Sequence, residues 1–187
     1  LGKVGRQVVA IEPTDYAFDK LLSNLDLNPE LKGKVVPVKA ALTDGFARCG
    51  SYYAKWSLAH NDPIHPLHLG TLCEAGNADQ ITLDDLVSKL DLPSVDFIKV
   101  DIDGHELPAI RGSMKTLARF KPILLLEFCP YLHDEHGHSF EELISLLNGL
   151  GYVFFRERDE APMPSSGEAL RRMIPVGAGI NAIGRIL

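Results

Sequence analysis

Cysteine is scarce in this sequence. Cys49, Cys73 and Cys129 are the only three among 187 residues, and no two are spaced like a disulfide framework or a zinc knuckle. The odd count points to reduced thiols and a cytoplasmic setting. Long apolar runs are missing too: the longest, "PILLLEF", meets Glu127 far short of the ~20 residues a membrane span needs, so no membrane role is expected. Lysine and arginine form no block, and the formal charge of −6 is spread along the chain, which argues against nucleic acid as a partner. No signal peptide is expected, and no unit repeats.

What remains is an ordinary globular mixture, 45% hydrophobic and 24% charged, of a length that suits one domain over residues 1–187. Strand-like and helix-like segments alternate. "QVVAIEP" reads as a buried strand stopped by Pro13. Phe18, Leu21, Leu22 and Leu25 then fall at helical spacing behind Thr14 or Asp15 as cap, with "NPEL" as terminator. "KVVPVKAAL" reads as a second strand, with Pro37 marking an edge or irregular position. "SYYAKW" suits a hairpin strand, and "HNDPIHPLHLG" a loop over the substrate region, where Tyr52, Tyr53 and Trp56 serve packing more readily than sugar stacking.

"TLDDLVSKL" predicts a short helix capped by Thr82. "VDFIKVDID" predicts a strand, followed by one helix from Glu106 to Ala118. "PILLLEF" predicts a strand covered on both faces, and "SFEELISLLNGLG" a helix with Ser139 and Glu142 as a capping box. "YVFFRER" and "GINAIGRIL" are two more strands. With no helical pattern between them, one of the pair should run antiparallel. The whole reads as an α/β domain with a mostly parallel sheet.

Acids gather where such strands end. Glu12 follows "VVAI", Asp101 and Asp103 follow "FIKV", and Glu127 follows "ILLL". Ligands in open parallel sheets sit beyond the carboxyl ends of the strands, and carboxylates there suggest a site. Alternation puts Lys99, Asp101 and Asp103 on one side if the strand stays extended. The plainer readings are that Glu12 ties down the next helix, that Lys99 pairs with an aspartate, and that Asp103 caps a helix. "HDEHGH" (133–138) sits in a loop with no helical register, and reads as a solvated polar turn in preference to a metal site.

"GRQVVAIEP…LLSNLDLN", "VVPVKAALTD", "ITLDDLV", "VDFIKVDIDGHELPAIRG" and "PILLLEF" together resemble the FkbM family of S-adenosylmethionine-dependent methyltransferases, most clearly from Gly5 to Phe128. The resemblance implies a Rossmann-like, three-layer class I methyltransferase sheet of order 3-2-1-4-5-7-6 with one antiparallel strand. It implies S-adenosylmethionine as cofactor and O-methylation of a hydroxyl on a sugar or natural-product-like small molecule. By the same likeness Glu12 binds the ribose hydroxyls, Asp44 lies near the adenine, and Asp101 and Asp103 face the transferable methyl.

Lys99, Asp101 and Asp103 are thus the catalytic candidates, and Glu12, Asp44 and Asp101 the cofactor-binding ones. A divalent metal is compatible with the two aspartates but is not predicted. Two features depart from the family. Asp103 stands where Glu is usual, and no glycine-rich "D-x-G-A-N-x-G" turn exists to cradle the methionine part of the cofactor. The expectation is a domain whose first, central strand is missing: either the N-terminal part lies outside this sequence, or the gene product is a defective remnant. A nicotinamide-dependent oxidoreductase is a further alternative, because an acid after "VVAI" serves either cofactor.

Overall fold

A computed structural model describes residues 7–46, 51–54, 64–67, 69–74 and 78–187. Trp56, His60 and His68 lie outside the described residues, as does the side chain of Tyr53.

The chain opens with strand β1 (Val8–Ile11) and helix α1 (Asp15–Asp26), the latter ended by a single 3-10 turn at Pro29–Leu31. Strand β2 (Val35–Val38) lies parallel to β1, with Ala10 opposite Pro37. "KVVPVKAAL" does not form one strand. It breaks at Lys39, and the remainder, β3 (Ala40–Leu42), belongs to a different ladder. The cause lies across the ladder: the Glu12 amide donates to the Val38 carbonyl, and the next amide of that series, Thr14, is taken by the Glu12 carboxylate. β3 instead pairs in parallel with β6 (Asp79–Ile81). Between them β4 (Ser51–Ala54) and β5 (Thr71–Glu74) form the expected hairpin, antiparallel.

Helix α2 (Leu83–Lys89) starts as its sequence dictates, with the Thr82 hydroxyl accepting from the Asp85 amide at 3.0 Å. Its Leu83, Leu86 and Val87 pack against Val9 and Ile11 of β1, Val38 of β2, and Ile98 of the next strand, β7 (Phe97–Val100). The long helix expected after β7 is two short ones, α3 (Glu106–Arg111) and α4 (Met114–Phe120). The break is steric and polar together. Gly112 passes so close to the Thr43 carbonyl that a Cβ would stand 2.0 Å from its oxygen. The Asp84 carboxylate of α2 takes the free amides of Lys115 and Thr116 at 3.0 and 2.7 Å.

Strand β8 (Ile123–Phe128) runs parallel to β7, followed by α5 (Pro130–Glu135), α6 (Phe140–Gly149), β9 (Tyr152–Arg156), α7 (Gly167–Met173) and β10 (Ile180–Ile186). The order β7-β8-β10-β9 places β10 between β8 and β9, antiparallel to both. One antiparallel strand was expected, but not for the reason given, since α7 does stand between β9 and β10. Ser166 caps it, and Gly167 lets it approach Glu141 of α6 so closely that a Cβ would meet the backbone at 2.7 Å. The capping box of α6 is half realised. Ser139 accepts from the Glu142 amide, while the Glu142 carboxylate turns away to pair with Arg111.

The main core lies on one face of this four-stranded sheet. Leu124, Leu126 and Phe128 of β8 are buried with Leu107 and Ile110 of α3, Phe140, Leu143, Ile144 and Leu147 of α6, and Leu170 of α7. The other face of β8 is only half covered: Ile123 is exposed, and Leu125 and Glu127 are half-buried. One continuous sheet is not seen among the described residues. The strands fall into four ladders, β1-β2, β3-β6, β4-β5 and β7-β8-β10-β9.

Candidate active site

The residues singled out from sequence stand at strand ends. Glu12 follows β1 directly and is half-buried. Its Oε1 accepts from both the amide and the hydroxyl of Thr14, at 2.8 and 2.5 Å, so the carboxylate ties the strand to the start of α1. Oε2 has no partner among the described residues. One carboxylate oxygen is therefore committed to the fold and one is available to a ligand. Asp44 follows β3, is half-buried, and accepts from the Phe46 amide at 2.9 Å.

Strand β7 stops at Val100, one residue before the acids, so Lys99, Asp101 and Asp103 are not three successive teeth of an extended strand. Asp101 is still adjacent to Lys99, whose Nζ lies 2.5 Å from its Oδ2 in a half-exposed ion pair. Asp103 sits instead in a tight turn, at φ +52, with Gly104 at φ +93. Left-handed geometry is cheap for glycine and uncommon for other residues. The turn is held by its neighbours: a Cβ on Gly104 would stand 2.7 Å from the Leu132 carbonyl of α5. His138 donates from Nδ1 to the Gly104 carbonyl at 2.8 Å.

"HDEHGH" is no solvated turn. Pro130 opens helix α5, and His133 in that helix is completely buried. Its Nε2 lies 3.1 Å from Oε2 of Glu106, itself 2% exposed, and its ring meets Phe140 edge-on. A proline at the first helical position was the signal available in the sequence. A helix begun there puts Pro130 and His133 on one face, three residues apart. The other oxygen of Glu106 accepts from the Ile102 amide at 3.1 Å.

Three further imidazoles gather beside that turn. The rings of His105 and His136 stand 4.1 Å apart, with His138 5.8 and 6.2 Å from them. Tyr52 of the β4–β5 hairpin lies 4.9 Å from His105, whose Nε2 donates to the Ser51 carbonyl at 3.2 Å. Burial, and then the neighbouring His136 and His138, push His105 down to about 4; burial and His138 push His136 down as well. His65, ahead of β5, pairs with Glu135 of α5 at 3.0 Å and stacks on Tyr131. Ser51, Tyr52 and His65 are thus tied to the segments that follow β7 and β8. Burial and then Glu127 raise the Cys129 thiol to about 12, which leaves it inert as a nucleophile.

Among the described residues, no group of three or more His, Cys, Asp or Glu side chains is arranged to hold a metal ion. No helix there is long and apolar enough to cross a membrane.

Comparison with known proteins accords with this geometry. A hexuronic acid methyltransferase of Haloferax volcanii is 28% identical over 110 residues, which cover 59% of this chain and 42% of that protein. The chain therefore spans less than half the length of that curated relative. The crystal structure of methyltransferase FkbM from Methylobacillus flagellatus KT superposes with a TM-score of 0.50 at 16% identity, over 96% of this chain and 36% of that one, a likeness of fold. Residues 2–154 match the Methyltransferase FkbM domain. The chain belongs to the FkbM methyltransferase family.

Proposed function

We propose that the protein is a cytoplasmic S-adenosylmethionine-dependent methyltransferase that methylates a hydroxyl of a sugar or a similar small molecule, with no nucleic acid or membrane involved. The observation that carries this reading is the pairing of family membership across residues 2–154 with acids at the ends of β1 and β7. In the same reading β2-β1 and β7-β8-β10-β9 are two parts of one Rossmann-like sheet, with room for one more parallel strand between β1 and β7. Two features favour it: α2 packs against both β1 and β7, and β7 has a ladder partner only in β8 among the described residues.

Bound, S-adenosylmethionine supplies an electrophilic methyl on a sulfonium centre. The residues present suit its nucleoside and methyl ends. Glu12 offers its open Oε2 to a ribose hydroxyl while Thr14 fixes the carboxylate by the other oxygen. Asp44, two residues beyond β3, is assigned to the adenine side. Asp101, oriented by Lys99, and Asp103 flank the position of the acceptor oxygen. One of them would take the hydroxyl proton as the methyl passes from sulfur to oxygen and the neutral thioether leaves, help worth ~10²–10⁴-fold. Alignment of oxygen and methyl lowers the barrier further.

The test is transfer of labelled methyl from S-adenosylmethionine to a panel of sugars by the full-length protein. Hexuronic acids come first, because a relative carries that activity in its name. Labelled product that disappears with Asp101→Asn supports the reading. Saturable binding of a nicotinamide dinucleotide, with none of S-adenosylmethionine, replaces it with an oxidoreductase. A cooperatively folded protein that binds neither is a remnant.

A further inference from the structure

We infer that Glu106 is a positioning residue for the proposed transfer, holding the Asp101–Asp103 turn through the Ile102 amide. The inference rests on the methyltransferase reading for its catalytic consequence, but not for its geometry.

Glu106 is a costly residue to keep where it is. At 2% exposure its carboxylate is cut off from water, and Oε2 faces the ring of the wholly buried His133. The 3.1 Å approach of Nε2 to Oε2 lies off the hydrogen-bond line, and neither His133 nitrogen has a hydrogen-bond partner among the described residues. Such a pair is a poor source of stability, since apolar residues of similar volume commonly do as well or better. The one well-formed hydrogen bond of the Glu106 side chain is from the amide of Ile102, at 3.1 Å. Ile102 is the residue between the two proposed catalytic aspartates.

That bond acts on a turn in need of support. Asp103 has φ +52, a conformation costing on the order of 1–3 kcal/mol away from glycine unless its surroundings impose it. Contacts that impose it include the Glu106 grip on the Ile102 amide, the His105 amide donating to the Ile102 carbonyl, Leu132 and His136 packed on Gly104, and His138 donating to the Gly104 carbonyl. Glu106 is the side chain that acts between the two aspartates. The buried His133 ring stands against the other oxygen of Glu106 and blocks the carboxylate from the α5 side. The acids that proposedly meet the acceptor are thus aimed from beneath by a third acid that touches neither acceptor nor cofactor.

Two variants separate reach from charge. Glu106→Gln keeps an oxygen at the same distance for the Ile102 amide; Glu106→Asp keeps the charge and withdraws it by one methylene. Both are made in the full-length protein. Hydrogen exchange of the Ile102 amide is measured by NMR, and kcat and KM are measured with S-adenosylmethionine and the acceptor found above. The expected result is wild-type-like protection and a kcat within about threefold for the glutamine variant. The aspartate variant should lose Ile102 protection and about tenfold or more in kcat, with KM changed less than about threefold. Unchanged Ile102 protection in the aspartate variant overturns the proposal. So does a glutamine variant as impaired as the aspartate one, which would make the charge the operative feature. If wild-type protein transfers no methyl, the functional reading falls, and the exchange data alone still decide whether Glu106 holds the turn.

Discussion

Strands β1 and β8 have similarly apolar sequences, VVAI and ILLLEF, and very different surroundings. β8 lies between β7 and β10, and Leu124, Leu126 and Phe128 are wholly buried. β1 pairs only with β2 among the described residues, all four of its residues are half-buried, and the helix that follows it buries none. Hydrophobic sequence is therefore not what distinguishes the halves; the number of flanking elements is. A strand with two ladder partners and helices on its face makes its own core, while a strand with one partner borrows burial from α2. The site draws on both. Its rigid side is the turn after β7, locked to α5; its adaptable side is Glu12, held by a single residue two places on.

Core truncation is the strongest way to break the comparison. Leu126→Ala, in the middle of β8, should cost about 2–5 kcal/mol in denaturant unfolding. Leu22→Ala, on the exposed side of α1, should cost under about 1 kcal/mol. Equal costs would mean that the two halves are one core after all.

Acid should act next most strongly, through the imidazoles beside the turn. His105 is held at about 4 against an ordinary 6.5, so between those values the unfolded chain binds a proton that the native chain refuses. Stability should be fully present above about pH 6.5 and fall by up to about 3 kcal/mol as pH drops towards 4, with His136 adding in the same direction. Glu106 and the Ser51 carbonyl oppose that trend without reversing it. His105→Gln should flatten the profile; a profile unchanged by that substitution would show that the cluster is not the acid-sensitive element.

Smaller again is the cap of α2, the helix that touches both halves. Thr82→Ala should cost about 1 kcal/mol, since the Asp85 amide loses its acceptor. Breaking the exposed Lys32–Asp26 pair with Lys32→Ala should change unfolding by under about 0.5 kcal/mol.

Element types were legible along most of the chain because apolar spacing and caps agree there: β1, α1, α2, β8 and α6 all stand where their sequences put them. The errors share one cause, which is that backbone partners are not written in local sequence. The split of "KVVPVKAAL" depends on the Thr14 amide turning back to Glu12 across the ladder, and the break at Gly112 on the Thr43 carbonyl far earlier in the chain. α7 was hidden by the Pro/Ser-rich stretch before it, although Ser166 is an ordinary cap.

At the site, Glu12 and Asp101 do stand at strand ends, and the Lys99–Asp101 pair was a stated possibility. Asp103 was misplaced because alternation presumes an extended chain, and "DIDG" turns left-handed instead. His133 was missed because a histidine-rich hexapeptide looks polar until a helix start at Pro130 turns one of its rings inward.

Calorimetric titration of the full-length protein with S-adenosylmethionine, wild type beside Glu12→Ala, bears most directly on the claim that strand-end acids bind this cofactor. The account predicts one saturable site, weakened about tenfold or more by the substitution, because a hydrogen bond to a charged, half-buried group is lost. Wild-type protein that takes up no S-adenosylmethionine, or a variant that binds it as tightly, would contradict it.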